Sequence, residues 1–445
     1  MQNILIKALH AENRMIECSL NDHFVLRSPV AVSFFYRKHI SSAVIIHALQ
    51  HVLKDFPIFA GILIRDSEKI YINCNNQGVH LKITHYDFNL SDVLANFSQL
   101  KSDTFVDLLD PHKTLKRKTP VLNIKLSYYK NAMVIGYCWH HSIGDMFTFM
   151  EFVKALSAFA KGSNYPTPLI VDNRDRYLQQ WYQQEANCQS EHPRLTYLKL
   201  PQMISFMKHL HSRKKGMHLY FTQDEITSLR TRISVQAGYQ VSRNDALCAH
   251  LLETITHCRS DNPDRYHASI IINYRQRIEM PDNLLGNYVD AIPITFSKTY
   301  TAGSIANNIN ARVKNYKQES FQPSHGLKFM AMHGGLKNVY RVVPHELMPK
   351  YKNMIFTNWS NFEVYSIDFG VESPYLFLPV GEWPIPWVSS IVEGFENRGA
   401  LVSLILPSKI ARRLTQPALL DKIHQYRPEL SHEDSSIIEE NSWCL

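Results

Sequence analysis

The stretch from residue 121 to residue 162 constrains the fold more than any other. Residues 121–128 and 132–139 are apolar or alternating runs separated by Lys130-Asn131, the pattern of a β-hairpin. The second run delivers the chain to His140-His141-Ser142-Ile143-Gly144-Asp145. Beyond it, Phe149, Phe152, Val153, Leu156 and Phe159 recur at helical spacing until Gly162 stops the helix. A strand therefore feeds a short turn that feeds a helix. Asp145 falls at the helix start, where the dipole favours a carboxylate. The chain is predicted to be α/β, with a histidine held at the end of a strand.

A histidine so placed can present its imidazole rigidly to a cleft. Its ordinary pKa near 6.5 suits it to act as a base toward a hydroxyl or amine at neutral pH. A carboxylate four residues on, across a turn containing Gly144, does not easily face the same substrate. Its simplest use is to tie the turn to a cation. By itself a His-x-x-x-Asp spacing is common and points more often to packing than to catalysis.

The 445 residues exceed what one core holds, because cores divide beyond about 250–300 residues. Two domains are expected: an N-terminal one over 1–185, a polar, basic crossover over 186–216, and a C-terminal one over 217–430. Residues 431–445, which carry Glu433, Asp434, Glu439 and Glu440, read as a flexible tail. Helical spacing covers 43–54, capped by Ser41-Ser42 and ended by Pro57. Further helices are expected from Gln223 and near Ser242, and strands at 217–221, 269–273, 363–380 and 400–406.

The net charge of +8 suits an anionic ligand such as a nucleotide-bearing cofactor, and equally suits no ligand in particular. No nucleic-acid motif accompanies it. The seven cysteines are scattered singly, which argues against disulfides and zinc knuckles and for a reducing, cytoplasmic compartment. His209 and His211 lack a third ligand at metal spacing, so no metal is expected. Met1 to Ala11 lacks the apolar run of a secretory leader, and no run approaches a membrane span. Neither a Gly-x-Ser-x-Gly elbow nor a phosphate-cradling glycine loop is present.

Several blocks, in order along the chain, resemble the BAHD acyltransferases. His141 to Asp145 matches their His-x-x-x-Asp signature, and the double histidine resembles the related non-ribosomal peptide condensation domains. Phe56-Pro57-Ile58-Phe59-Ala60-Gly61, Asn73 to Val79, and Val241 to His250 fit further family stretches. So do Asn273-Tyr274-Arg275-Gln276-Arg277 with Leu285-Gly286-Asn287-Tyr288, Thr357-Asn358-Trp359-Ser360, and Asp368-Phe369-Gly370. The resemblance implies two chloramphenicol-acetyltransferase-like domains, each a mixed sheet with packed helices, and an active-site channel between them. It implies acyl transfer from acyl-CoA, a co-substrate rather than a resident cofactor, to a small-molecule alcohol or amine by a monomeric enzyme. His141 would be the general base in a ternary complex, with no acyl-enzyme. Asp145 would pair with Arg275, or failing that Arg277, to hold the loop. Thr357 and Trp359 would stabilise the oxyanion or orient the acceptor. Asp368, Phe369 and Gly370 would form a structural turn on the cofactor side. Met146 stands where the family usually has glycine, and Val371-Glu372 where it has Trp-Gly. These departures leave two alternatives: a carrier-tethered acyl donor, or a ligand-binding homologue without turnover.

Overall fold

The computed structural model describes residues 1–445 except 67–68, 98–99, 102, 118, 179–193, 317–322 and 381–384. Two six-stranded mixed sheets organise the chain. In the first the order is Gln2–Ile6, Val79–His85, Leu122–Tyr128, Met133–His140, Pro29–Tyr36 and Leu376–Val380. In the second it is Lys214–Phe221, Ala400–Pro407, Val388–Glu393, Met354–Asn358, Tyr266–Asn273 and Val289–Phe296. The expected hairpin forms, with Leu122 opposite Trp139 and Tyr128 opposite Met133.

Helices Ser42–Val52 and Met146–Ala160 cover one face of the first sheet. Ile45, Ala48, Leu49 and Val52 share a core with Phe149, Phe152, Val153 and Leu156. The Trp139 indole lies on the Phe149 ring at 4.0 Å and 3°, so the end of the strand and the first turn of the helix lock together. Burying each such side chain contributes roughly 2 kcal/mol relative to leaving it exposed.

Side chains alternate across the second sheet, and the two faces have different neighbours. Leu219, Phe221, Val402 and Leu404 pack with Ile226, Leu247 and Ile305 from its helices. Tyr220, Val392 and Leu401, on the other face, belong to the core of the first sheet. One face of the second sheet is therefore the floor between the two halves.

Four expectations need correction. The halves are not sequential, because Leu376–Val380 leaves the second half and pairs with Pro29–Tyr36. It takes the edge position, which tolerates Pro379 and its missing N–H donor. The strand expected over 363–380 is confined to those last residues. Glu363, Phe369 and Gly370 have φ values of 55°, 48° and 75°, which turn the chain rather than extend it. The crossover over 186–216 falls partly outside the described residues. Its described part holds a strand, Leu195–Tyr197, a helix, Leu200–Leu210, and the start of the second sheet at Lys214. Finally, the tail is not loose. Helix His432–Glu440 is capped by Ser431, and Trp443 stacks on Phe97 at 4.3 Å. Leu445 accepts from the Tyr220 N–H and donates to the His218 carbonyl, satisfying the open edge of Lys214–Phe221. The acidic residues before it concealed the apolar Trp443-Cys444-Leu445 that anchors it.

Candidate active site

The turn after Met133–His140 is set by main-chain bonds. His140 N–H donates to the Val121 carbonyl, and His141 N–H to that of Ser28, at 3.1 Å. Residues His141–Ile143 form one 3-10 turn, closed by Gly144 N–H on the His141 carbonyl at 3.1 Å. A Cβ at Gly144 would stand 2.3 Å from Thr148 Cγ2, so only glycine lets the turn press on the helix. Trp139 Nε1 holds the Gly144 carbonyl at 3.0 Å.

Asp145 is the helix N-cap, accepting from the Thr148 N–H at 3.0 Å. Arg275 grips it with both fork nitrogens, Nη1 to Oδ2 at 2.8 Å and Nη2 to Oδ1 at 3.2 Å. The Tyr288 N–H adds a fourth donor at 3.0 Å. Burial pushes the Asp145 carboxyl upward, but Arg275 and the N–H donors outweigh it and hold the group below the usual carboxylate range. Both partners are buried, and Arg275 lies against the rings of Phe147 and Tyr288. Arg277 instead donates to the Val313 carbonyl, so the pairing falls to Arg275. Sitting between Phe147 on the Asp145 helix and Tyr288 of the second half, Arg275 joins the loop to that half.

A second buried ion pair braces the other side of the turn. Arg174 Nη1 contacts Asp22 Oδ1 at 3.0 Å and the Ser142 carbonyl at 2.8 Å, and its Nη2 takes the Ile143 carbonyl at 2.6 Å. Ser142 Oγ donates to the Asp22 carbonyl at 2.7 Å. Asn287 Nδ2 bridges Asp22 Oδ1 and the His141 carbonyl, both at 2.7 Å. Sequence reasoning gave Asp22, Arg174 and Asn287 no role at the site. Asn287 lay inside a quoted block, and Ser19 to Asp22 is a legible capping box, but nothing in the chain linked them to His141.

His141 is half-buried, with its Nδ1 shielded from solvent. Burial lowers its pKa, opposed by its own carbonyl, Asp145, Asn287 and Asp22, and the net shift is downward. The imidazole is therefore neutral at pH 7 and able to accept a proton. His140 is fully buried, takes the Ser142 N–H on Nδ1, and is pushed down to about 3 by burial and by His141. It is a neutral turn cap. Burial pushes the Cys138 thiol up to about 12, which removes it as a nucleophile at neutral pH.

The other expected residues are placed on other elements. Thr357 is buried on the central strand Met354–Asn358, and Trp359 follows it into the core of the first sheet, its main-chain N–H on the Ile391 carbonyl. Asp368, Phe369 and Gly370 fasten the opposite end of the catalytic helix. Asp368 pairs with Lys161 at 3.1 Å, and the Phe369 N–H donates to Ser157 Oγ at 3.1 Å. Met146 is the buried first residue of that helix, and Glu372 accepts from the Arg37 N–H.

A cavity of about 740 Å³ opens between the halves. Its walls include Ser390, Ser403 and His218, which stand in register across the sheet with Thr357. Lys101, Lys214 and Lys215 lie along it, with no Asp or Glu side chain among the described residues lining it. His141 is not part of this lining. Among the described residues no group of histidine, cysteine and acidic side chains could hold a metal, and no helix is long and apolar enough to cross a membrane.

The profile of the Transferase family matches residues 1–416. The chain belongs to that family. It is an acyltransferase, in agreement with the BAHD resemblance. Limonoid 1-O-acetyltransferase of Citrus sinensis is 23% identical over 366 residues, covering 78% of this chain and 75% of its own length. Among solved structures, TRI101 of F. graminearum complexed with coenzyme A and deoxynivalenol superposes with a TM-score of 0.75 at 14% identity, covering 92% and 98% of the two chains. Vinorine synthase gives 0.71 at 17% identity, covering 95% and 97%. These structures share the two-domain fold.

Proposed function

We propose that this acyltransferase moves an acyl group from acyl-CoA to a hydroxyl or amine of a small metabolite, with His141 as general base. The observation that carries this is a half-buried imidazole on a turn clamped from both sides by buried ion pairs. His141 accepts the acceptor's proton as its oxygen or nitrogen attacks the thioester carbonyl. The C–S bond then breaks, and the departing thiolate takes the proton back. Positioning plus base catalysis accounts for the rate without a covalent intermediate. Thr357 supplies a hydroxyl and Trp359 an indole N–H for the developing oxyanion or the acceptor. Asp145, locked onto Arg275, serves shape rather than proton transfer. The lysines along the cavity suit the phosphates of the donor.

The Citrus relative is a limonoid 1-O-acetyltransferase, and TRI101 is complexed with coenzyme A and deoxynivalenol. The enzyme is read as a cytoplasmic monomer, consistent with six described cysteines that are all unpaired and buried. The test is thiol release from a panel of acyl-CoA donors with alcohols and amines, followed by intact-mass measurement of the protein. Release with an acylated acceptor and an unmodified protein supports the reading. Acyl-CoA binding without release across the panel contradicts it, and an accumulating acyl-protein contradicts the ternary mechanism.

A further inference from the structure

Helix Leu200–Leu210 has no core to rest on. A helix of this length is marginal in water by itself and is normally held by burying an apolar face. This one starts soundly, with Pro201 in its first turn and the Lys199 N–H on Gln202 Oε1 at 2.9 Å, yet none of its residues is buried. Met203, Phe206 and Leu210 are half-buried on the side toward the protein. Leu200, Ile204 and Met207, spaced i, i+4 and i+7, form a second apolar stripe that is 61%, 51% and 43% exposed. Exposed apolar side chains scattered singly need no explanation, but three on one stripe of one helix mark a contact face.

The charge around that stripe has one sign. Residues 194–223 hold six lysines and arginines and no aspartate or glutamate. Lys199, Lys208 and Arg213 are exposed, and Lys208 follows Met207 directly. Both ends of the segment are tied down. Leu195–Tyr197 pairs with Val342–Pro344, and Lys214 opens the edge strand of the second sheet. The stripe is therefore presented from a fixed position. Ser212, two residues past the helix, already lines the cavity between the halves.

We propose that helix Leu200–Leu210 docks the enzyme on an anionic lipid bilayer, with Leu200, Ile204 and Met207 among the acyl chains and Lys199, Lys208 and Arg213 at the headgroups. This goes beyond the acyl-transfer reading and does not depend on it. An apolar stripe flanked by unbroken positive charge fits a surface that offers both apolar chains and negative headgroups. A purely acidic partner matches the charge and leaves the stripe in water. A bilayer span takes about 20 residues, so a helix of 11 lies in the plane of the interface. The cytoplasmic leaflet carries the anionic lipids, in keeping with the compartment proposed above. Docked this way, the enzyme carries its cavity beside the membrane surface.

The experiment is co-sedimentation of the full chain with vesicles, phosphatidylcholine alone against phosphatidylcholine mixed with phosphatidylserine. The chain is expected to bind the mixed vesicles, to bind phosphatidylcholine weakly, and to be released as salt rises. Ile204→Ser combined with Met207→Ser is expected to weaken binding by about tenfold or more, from the apolar surface lost. Lys208→Gln and Arg213→Gln are each expected to weaken binding to the mixed vesicles by roughly fivefold and to change little on phosphatidylcholine. These four side chains are exposed, and the thermal midpoint checks that each variant folds. Should the serine pair fail to fold, Leu200→Ser repeats the test at the most exposed position of the stripe. A parent chain that stays in the supernatant with the mixed vesicles overturns the proposal, and is the result expected if an acidic protein is the partner. Binding that survives the serine substitutions unchanged also overturns it, because charge alone would then hold the chain to the vesicle. No substrate enters the assay, so a failure of acyl transfer leaves its outcome untouched.

Discussion

Two buried arginine–carboxylate pairs flank one turn, and they are built differently. In Asp145–Arg275 the carboxylate belongs to the turn and the arginine comes from the second half of the chain. In Asp22–Arg174 neither partner belongs to the turn, and the arginine reaches it through backbone carbonyls. The first pair holds the helix start against the second half. The second pair holds the peptide planes around the base. A loop that must keep an imidazole in one orientation needs both constraints, because fixing the helix leaves the preceding carbonyls free to rotate.

The largest expected effect separates the pairs by stability. Arg275→Met leaves Asp145 buried without its cation, and removal of one partner of such a pair costs about 3–5 kcal/mol. Urea unfolding followed by fluorescence should show it. An unchanged midpoint would mean that the helix cap alone suffices. Next in size is Gly144→Ala, whose Cβ meets Thr148 Cγ2 at 2.3 Å and Thr148 Cβ at 2.6 Å. Overpacking of this kind costs about 1–3 kcal/mol, and Thr148→Ser in the same chain should recover part of it. Recovery of none would place the strain elsewhere in the turn.

A third effect is one of pH. His140 and His218 are pushed down to about 3 and about 4, in each case chiefly by burial. Because the folded values lie below the unfolded value near 6.5, their stabilising contribution is complete above about pH 6.5. It is lost progressively as pH falls toward 4 and then 3. The thermal midpoint should therefore decline from pH 7 to pH 4.5, before most carboxylates are protonated. A flat profile over that range would contradict the lowered pKa values of these rings.

The Asp145–Arg275 pair was legible in the sequence and Asp22–Arg174 was not, for the same physical reason. A carboxylate four residues after a strand-end histidine announces that it needs a cation, and the resemblance named one. Asp22 carried no such signal, and its other oxygen is taken up in capping a helix. Arg174 sits beyond the catalytic helix, in a segment without periodicity. Hairpin, catalytic helix and the helix at Ser242 were equally readable, because apolar period and caps agree there. What escaped was long-range exchange. Leu376–Val380 reads as a strand, but nothing local says which sheet takes it. Trp443 reads as part of an acidic tail until Phe97 is seen beneath it.

In the proposed reaction His141 moves the proton. The direct measurement is the rate of thiol release at saturating acyl-CoA and acceptor, parent against His141→Ala, with the thermal midpoint recorded for both. Loss of general base catalysis should slow turnover by about 10²–10⁴-fold, with the fold and the Asp145–Arg275 pair retained. A folded His141→Ala variant that releases thiol at the parent rate would contradict the account.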